Sequence, residues 1–295
     1  MDKETWPVWR SLLFVPADNE RFLSKAADRG ADALLLDLED SIPPDRKDAA
    51  RTRAISAIEE LARCASDILV RINQPLRLAV PDLEAVVRPG VRALLLPKCE
   101  SAGQVQMLSE AVASLEAERG LPVGGIRFCL LLESAAAYGR AGEIAASDPR
   151  NLSLSLGSED FSTDLDMHPD AETLFVPKQQ ILIAAVAAGL MPLGLFGTVA
   201  DYQDLDAIEA TARRSAKFGF QGATCIHPGV VAALNKGFSP EPEEVARARG
   251  IVDVLARAEA QGLGAVSYEG KMVDAPVADR ARRLVQRAEA IARRG

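Results

Sequence analysis

The chain has 295 residues, 48% hydrophobic, 26% charged and 5% aromatic, with 34 basic against 42 acidic residues for a net charge of −8. That length suffices for one large α/β barrel or two modest domains with a real core, and the acidic balance argues against a nucleic-acid surface. No apolar run reaches the roughly 18 residues a membrane span needs, and the mixed charges of Met1 to Arg10 contain no apolar signal core, so a cytoplasmic protein is expected.

Apolar runs of strand length recur at residues 11–16, 33–38, 68–72, 93–97, 126–132, 152–156, 192–196 and 223–226. Most are rich in Leu, Val or Ile on both faces, as parallel strands covered on both sides require. Amphipathic stretches at 21–29, 45–64, 102–119, 136–146, 177–188 and 205–218 read as helices between them. Ser101 is an N-cap ahead of the Val105/Leu108 face, and Gly30 and Gly120 are helix stops. Strands alternating with helices as far as residue 237 predict a (β/α)8 TIM barrel over 1–237. An open doubly wound sheet is the alternative, though no GxGxxG follows the first run.

Beyond Lys236 the pattern changes. Residues 238–295 read as a lid or oligomerisation segment: a Pro-rich linker, a helix over 242–261, a loop over 262–273 and a basic helix over 276–294, with no strand. Its apolar residues Ile251, Val252, Val254, Leu255, Leu263, Val266 and Met272 exceed what a solvated tail needs. The segment either caps its own barrel or packs on a neighbouring subunit.

In a barrel the chemistry sits where strands end. The second run ends in Asp37-Leu38-Glu39-Asp40, the third in Arg71-Ile72-Asn73, the fourth in Pro97-Lys98, the fifth in Glu133-Ser134 and the sixth in Gly157-Ser158-Glu159-Asp160. Carboxylates converging on one mouth repel one another, and a divalent cation would relieve that. Four scattered cysteines and two histidines, His168 and His227, offer no soft ligand set, so the oxygen donors point to Mg²⁺ before Mn²⁺. Glu133 and Asp160 are the candidate ligands, with Glu39 and Asp40 orienting metal-bound water. Salt bridges to Arg71 and Lys98 without a metal are the alternative. Arg71 carries a planar fork suited to a carboxylate or enolate oxygen. Lys98 is a candidate substrate-binding cation or, alternatively, a Schiff-base lysine.

The stretch from Arg10 to Arg51, VRIN around Arg71, LPK at Lys98, LLESAAAYGRAGEIA from Leu131, GSEDF around Asp160, CIHP near His227 and GKMVDAP around Asp274 run in order along the chain. Together they resemble the citrate lyase β-subunit-like family of the HpcH/HpaI aldolase superfamily, in its malyl-CoA/citramalyl-CoA lyase-like branch. The resemblance implies a Mg²⁺-dependent TIM barrel that cleaves or forms a carbon–carbon bond in a 3-hydroxyacyl thioester. It implies Glu133 and Asp160 as metal carboxylates and Arg71 as the substrate-binding arginine. It further implies a homotrimer or hexamer in which Asp274, on a lid, completes a neighbouring subunit's site. Asp274 then moves a proton; as a helix N-cap before Ala275-Pro276 it has a purely structural alternative.

The partners expected are an acyl-CoA thioester and a small 2-oxo acid such as pyruvate or glyoxylate. Glu39, Asp40, Arg71, Lys98 and Glu133 are the substrate-side groups, and Arg10, Lys25 and Lys271 are candidate contacts to CoA phosphates. His227 borders the pantetheine channel or is a buried structural imidazole. Two further readings stay open: the β subunit of a citrate lyase acting on an acyl carrier protein thioester, and a non-catalytic CoA-thioester-binding barrel. One departure from the family pattern is Asp166 in FSTDLDM, where many relatives carry glycine.

Overall fold

In the computed structural model, which describes residues 6–197 and 202–294, eight strands lie parallel in one curled sheet. They are β1 (Ser11–Pro16), β2 (Ala33–Asp37), β3 (Asp67–Arg71), β4 (Val91–Leu96), β5 (Arg127–Leu132), β6 (Asn151–Leu156), β7 (Met191–Pro192) and β8 (Ala223–Cys225). The order is β7-β6-β5-β4-β3-β2-β1-β8, so consecutive strands are neighbours throughout. A doubly wound sheet would reverse that order at a switch point. Between the two edges, the Gly194 N–H donates to the Gly222 carbonyl at 2.8 Å and the Gln221 N–H to the Pro192 carbonyl at 3.0 Å. The arrangement is consistent with a TIM-like barrel.

The helices between strands are α1 (Glu20–Ala26), α2 (Lys47–Leu61), α3 (Leu76–Val86), α4 (Ala102–Glu118), α5 (Ala135–Tyr138), α6 (Ala141–Ala145), α7 (Ser158–Asp164), α8 (Phe175–Ala187) and α9 (Leu205–Phe218); α10 (Val231–Gly237) follows β8. Ser101 does cap α4, accepting from the Gln104 N–H. Gly30 and Gly120 sit at φ 70° and 65°, the left-handed region a helix stop uses. α3 escapes a reading by breaker signals because Pro75 precedes it and Pro81 lies inside it. The stretch expected as one helix over 136–146 is split into α5 and α6 at Gly139-Arg140.

Strand alternation sorts the apolar residues into two layers. Leu34 and Leu36 face the helices, whereas Leu12, Ala33, Leu35, Leu69, Ala93, Leu95, Cys129, Leu152, Met191 and Leu193 form an interior cluster with Trp9. The sequence expectation of a strand over 192–196 fails after Pro192. There the backbone leaves the ladder: Gly194 bonds the segment before β8, and the carbonyls of Leu195 and Gly197 accept from the Lys178 ammonium.

The chain divides into two units, residues 1–238 and 239–295. The second holds α11 (Pro242–Glu259), β9 (Val266–Tyr268), β10 (Lys271–Val273) and α12 (Ala275–Arg294). The expectation of two helices and no strand is therefore corrected. β9 and β10 form an antiparallel hairpin around Glu269 and Gly270, at φ 49° and 74°. Positive φ at both central residues marks a tight hairpin turn, and Glu in the first place gives no turn signal in sequence. Leu255, Val273 and Ala278 make a small core with Ile251, Val266, Tyr268 and Val277 against it. Leu263 and Met272 stay exposed, the latter 71%.

Candidate active site

Each interior-facing strand position ends in a side chain of the site. After Leu12 comes Phe14; after Ala33 and Leu35 comes Asp37; after Leu69 comes Arg71; after Cys129 and Leu131 comes Glu133. Parity alone carries these groups to the C-terminal mouth, where a barrel's chemistry collects. With Ser155, Asp40, Asp160, Lys178 and the leucines 95, 131, 156, 193 and 195, they line a cavity of about 460 Å³.

The Arg71 guanidinium is held on one edge. Its Nε donates to Asp37 Oδ1 at 2.6 Å and its Nη2 to Asp37 Oδ2 at 2.7 Å. Nη1 lies 3.0 Å from Glu39 and 3.5 Å from Asp40, and the plane sits over the Phe14 ring. Burial by itself would lower the Arg71 pKa, but the Asp37 carboxylate more than offsets it and holds the cation charged. Asp37 is in turn pulled below the usual carboxylate range despite its burial. Lys98 donates to Glu39 at 2.6 Å and reaches Asp40 at 3.3 Å. Both Glu39 oxygens thus face cations, yet burial leaves its pKa raised.

Glu133 is 6% exposed, and its Oε2 accepts the Lys98 backbone N–H at 2.6 Å. To aim that N–H, Lys98 adopts φ 49°, an unusual conformation for a side-chain-bearing residue. Burial pushes Glu133 up to about 8, with Glu39 and Asp160 adding repulsion. The opposite flank of Glu133 is Gly157, where a Cβ would come 2.4 Å from Glu133 Cγ. Gly157 also bonds the Leu132 carbonyl at 2.8 Å and opens α7, whose first turn carries Glu159 and Asp160. The Ala135 N–H donates to Asp164 at the other end of α7, fixing both carboxylate-bearing segments together.

This donor set is two carboxylates at one cavity, one of them buried and short of positive charge. Hard oxygen donors in that state suit a divalent cation such as Mg²⁺, which would restore the ionised form of Glu133. No group of three or more His, Cys, Asp or Glu side chains is assembled for a metal among the described residues. Two protein carboxylates with water and substrate completing the sphere is how Mg²⁺ is commonly held.

A profile of the HpcH/HpaI aldolase/citrate lyase family matches residues 10–228. The chain belongs to this family. Among its relatives, a protein described as citrate lyase subunit beta from Leuconostoc mesenteroides subsp. cremoris is 33% identical over 288 residues, covering 95% of this chain and 93% of that one. An L-malyl-CoA/beta-methylmalyl-CoA lyase from Cereibacter sphaeroides is 34% identical over 306 residues, covering 96% and 95%. The crystal structure of protein CitE from Mycobacterium tuberculosis, in complex with magnesium, acetoacetate and coenzyme A, matches with TM-score 0.74 and 31% identity, over 97% of this chain and 99% of that one.

Within this HpcH/HpaI-family chain, Glu39, Asp40, Arg71, Lys98, Glu133 and Asp160 come together as read from sequence. Within the unit of residues 1–238, Arg10, Lys25 and His227 do not join them. Arg10 precedes β1 and is locked to Asp32 through Nε and Nη2, both at 2.8 Å, at the far end of the strands from the mouth. That removes it as a CoA-phosphate contact at the mouth. Lys25 is an exposed residue of α1, outside the cavity lining, and Lys271 is exposed on β10. His227 is exposed rather than buried; its Nδ1 accepts the Gly229 N–H and its ring stacks on Tyr202. Asp274 caps α12, accepting the Val277 N–H at 3.2 Å. Sequence reasoning missed Asp37, Gly157 and Lys178. Asp37 shares the run Asp37-Leu38-Glu39-Asp40 with two other carboxylates that the sequence does not distinguish from it, and Lys178 is a lone cation inside an apolar helix.

Proposed function

We propose that this chain is a magnesium-dependent carbon–carbon lyase that cleaves, or condenses, a 3-hydroxyacyl-CoA such as citramalyl-CoA or malyl-CoA, giving acetyl-CoA and a 2-oxo acid. The observation that carries the reading is the pair Glu133 and Asp160 at one cavity beside an oriented arginine. The reading is supported by the malyl-CoA lyase relative and by the CitE structure with magnesium and coenzyme A.

Glu133 and Asp160 would hold the ion, with Mn²⁺ as second choice. When bound, Mg²⁺ supplies Lewis acidity and a template for the oxo-acid oxygens. Arg71 donates from Nη1 to an oxygen gaining charge as the C2–C3 bond breaks. Lys98 keeps Glu133 aimed through its backbone and holds Glu39 through its side chain. Asp274 serves as the proton carrier at the acyl α-carbon, acting from the lid of a neighbouring subunit in a homotrimer or hexamer. The alternative role for Asp274 is the cap it already forms. Mixing inactive Asp274→Ala and Arg71→Ala proteins after dissociation tests this. Activity recovered in hetero-oligomers supports action in trans, and a mixture confirmed as hetero-oligomeric that stays dead means that the lid serves its own barrel or that Asp274 is only a cap. With no helix long and apolar enough to cross a membrane and no disulfide among the described residues, the cytoplasm fits.

The citrate lyase β-subunit reading is favoured by a separate observation, 33% identity to such a subunit over nearly its full length. A panel of malyl-, citramalyl- and citryl-CoA with Mg²⁺, beside citryl-acyl carrier protein, separates the two. Turnover of free CoA thioesters by the chain alone supports the lyase. Turnover of the carrier-protein thioester alone supports the subunit. No turnover of any, with thioester binding unaffected by Glu133→Ala, supports a non-catalytic barrel.

A further inference from the structure

We infer that Asp37 is a positioning residue: it fixes the guanidinium of Arg71 so that only Nη1 is offered to substrate. The inference rests on the role proposed above for Arg71. Both Asp37 oxygens do double duty. Oδ1 accepts Arg71 Nε and the Glu39 N–H at 3.0 Å, while Oδ2 accepts Arg71 Nη2 and the Ser41 N–H at 3.2 Å. One buried carboxylate therefore ties the arginine to the turn that carries Glu39 and Asp40.

The consequence is chemical. A free guanidinium recognises a carboxylate through its Nε/Nη2 edge, with two parallel hydrogen bonds. Here that edge is filled from within, so Arg71 cannot clamp a substrate carboxylate in that manner. Nη1 makes no hydrogen bond among the described residues; its contacts are the ion-pair approaches to Glu39 and Asp40. Glu39 Oε2 is likewise buried without a hydrogen bond. A single oriented donor suits one developing oxyanion, the part of a reaction in which charge appears on one atom. The stack on Phe14 and the Asp37 fork remove the rotation that would let Nη1 drift.

The test compares Asp37→Asn, Arg71→Ala and the double variant in the intact chain with Mg²⁺ and the thioester panel. It also records the ¹⁵N–¹H signal of Arg71 Nε, assigned by its loss in Arg71→Ala. Asn keeps an acceptor for the turn but sets an NH₂ against two donors. We expect Asp37→Asn to lower kcat by about 10–100-fold with KM changed less than about threefold. In the Arg71→Ala background the same change should lower kcat less than about twofold. The Nε signal, protected from exchange in the parent, should be lost. Where Asp37→Asn does not fold, Asp37→Glu keeps the charge one methylene out of place, and the same kcat loss without a KM rise is expected. Losses that multiply in the double variant, or a protected Nε signal in Asp37→Asn, overturn the inference. If Arg71→Ala keeps full kcat, the role of Arg71 falls and the Nε signal decides: its loss in Asp37→Asn supports positioning, its survival refutes it.

Discussion

Replacing Gly157 by Ala isolates one steric contact at the centre of the site. The residue sits at φ −77° and ψ 98°, which any L-residue adopts, so the added methyl strains no backbone. The methyl carbon would meet Glu133 Cγ at 2.4 Å, Oε1 at 2.7 Å and Cδ at 3.0 Å. Carbon–carbon contact needs about 3.5 Å, so the Glu133 side chain must shift by about 1 Å. It cannot retreat freely, because Oε2 is tied to the Lys98 N–H at 2.6 Å. A displacement of that size in a catalytic group costs roughly a hundredfold in rate, and the overpacking costs about 1–3 kcal/mol of stability. Kinetics on the turned-over thioester, Mg²⁺ titration calorimetry and urea melts measure the three effects. Gly103→Ala in α4 is the control, since nothing lies within 4 Å of its added methyl; it should stabilise by about 0.5–1 kcal/mol and leave kcat alone. Wild-type kcat and Mg²⁺ affinity in Gly157→Ala would refute the placement of Glu133 as the ligand pressed against this glycine.

Three further outcomes follow from the geometry. Lys178→Met strands the Leu195 and Gly197 carbonyls and should cost about 2–4 kcal/mol in urea unfolding, with Lys178→Arg closer to wild type; a neutral Met variant would mean water replaces the ammonium without loss. Asp166 lies at φ 52°, so Asp166→Gly should raise stability by up to about 1 kcal/mol, read as a melting-temperature rise of about 2–3 °C. For the metal-free protein, Glu133 is raised from 4.5 to about 8, so the folded state keeps a proton the unfolded chain releases. Its contribution is therefore full below about pH 4.5 and is lost as pH rises to about 8. Melts across that range should show wild type losing on the order of 4 kcal/mol relative to Glu133→Gln, and parallel curves for the two proteins would contradict the burial argument.

The amino-acid sequence by itself determined the number of strands in the curled parallel sheet, because parallel strands covered on both faces must be continuous apolar runs such as Ala33-Leu34-Leu35-Leu36. It also marked the candidate site residues, since apolar strands that stop at Glu133, Arg71 or Asp37-Leu38-Glu39-Asp40 set polar side chains at their ends. The same uniformity hides which face is interior. With leucine on both sides, nothing in β2 tells that Asp37 points inward with Ala33 and Leu35, so its grip on Arg71 was not legible. Tertiary structure alone decided the relations that join distant segments: Gly157 giving room to Glu133, Lys98 turning to a positive φ to bond it, and Lys178 drawing the backbone after β7 out of the ladder. β9 and β10 were invisible for a local reason. Strands of three residues around a Glu269-Gly270 turn carry too few alternations to register as a period, and only pairing across the turn makes them strands.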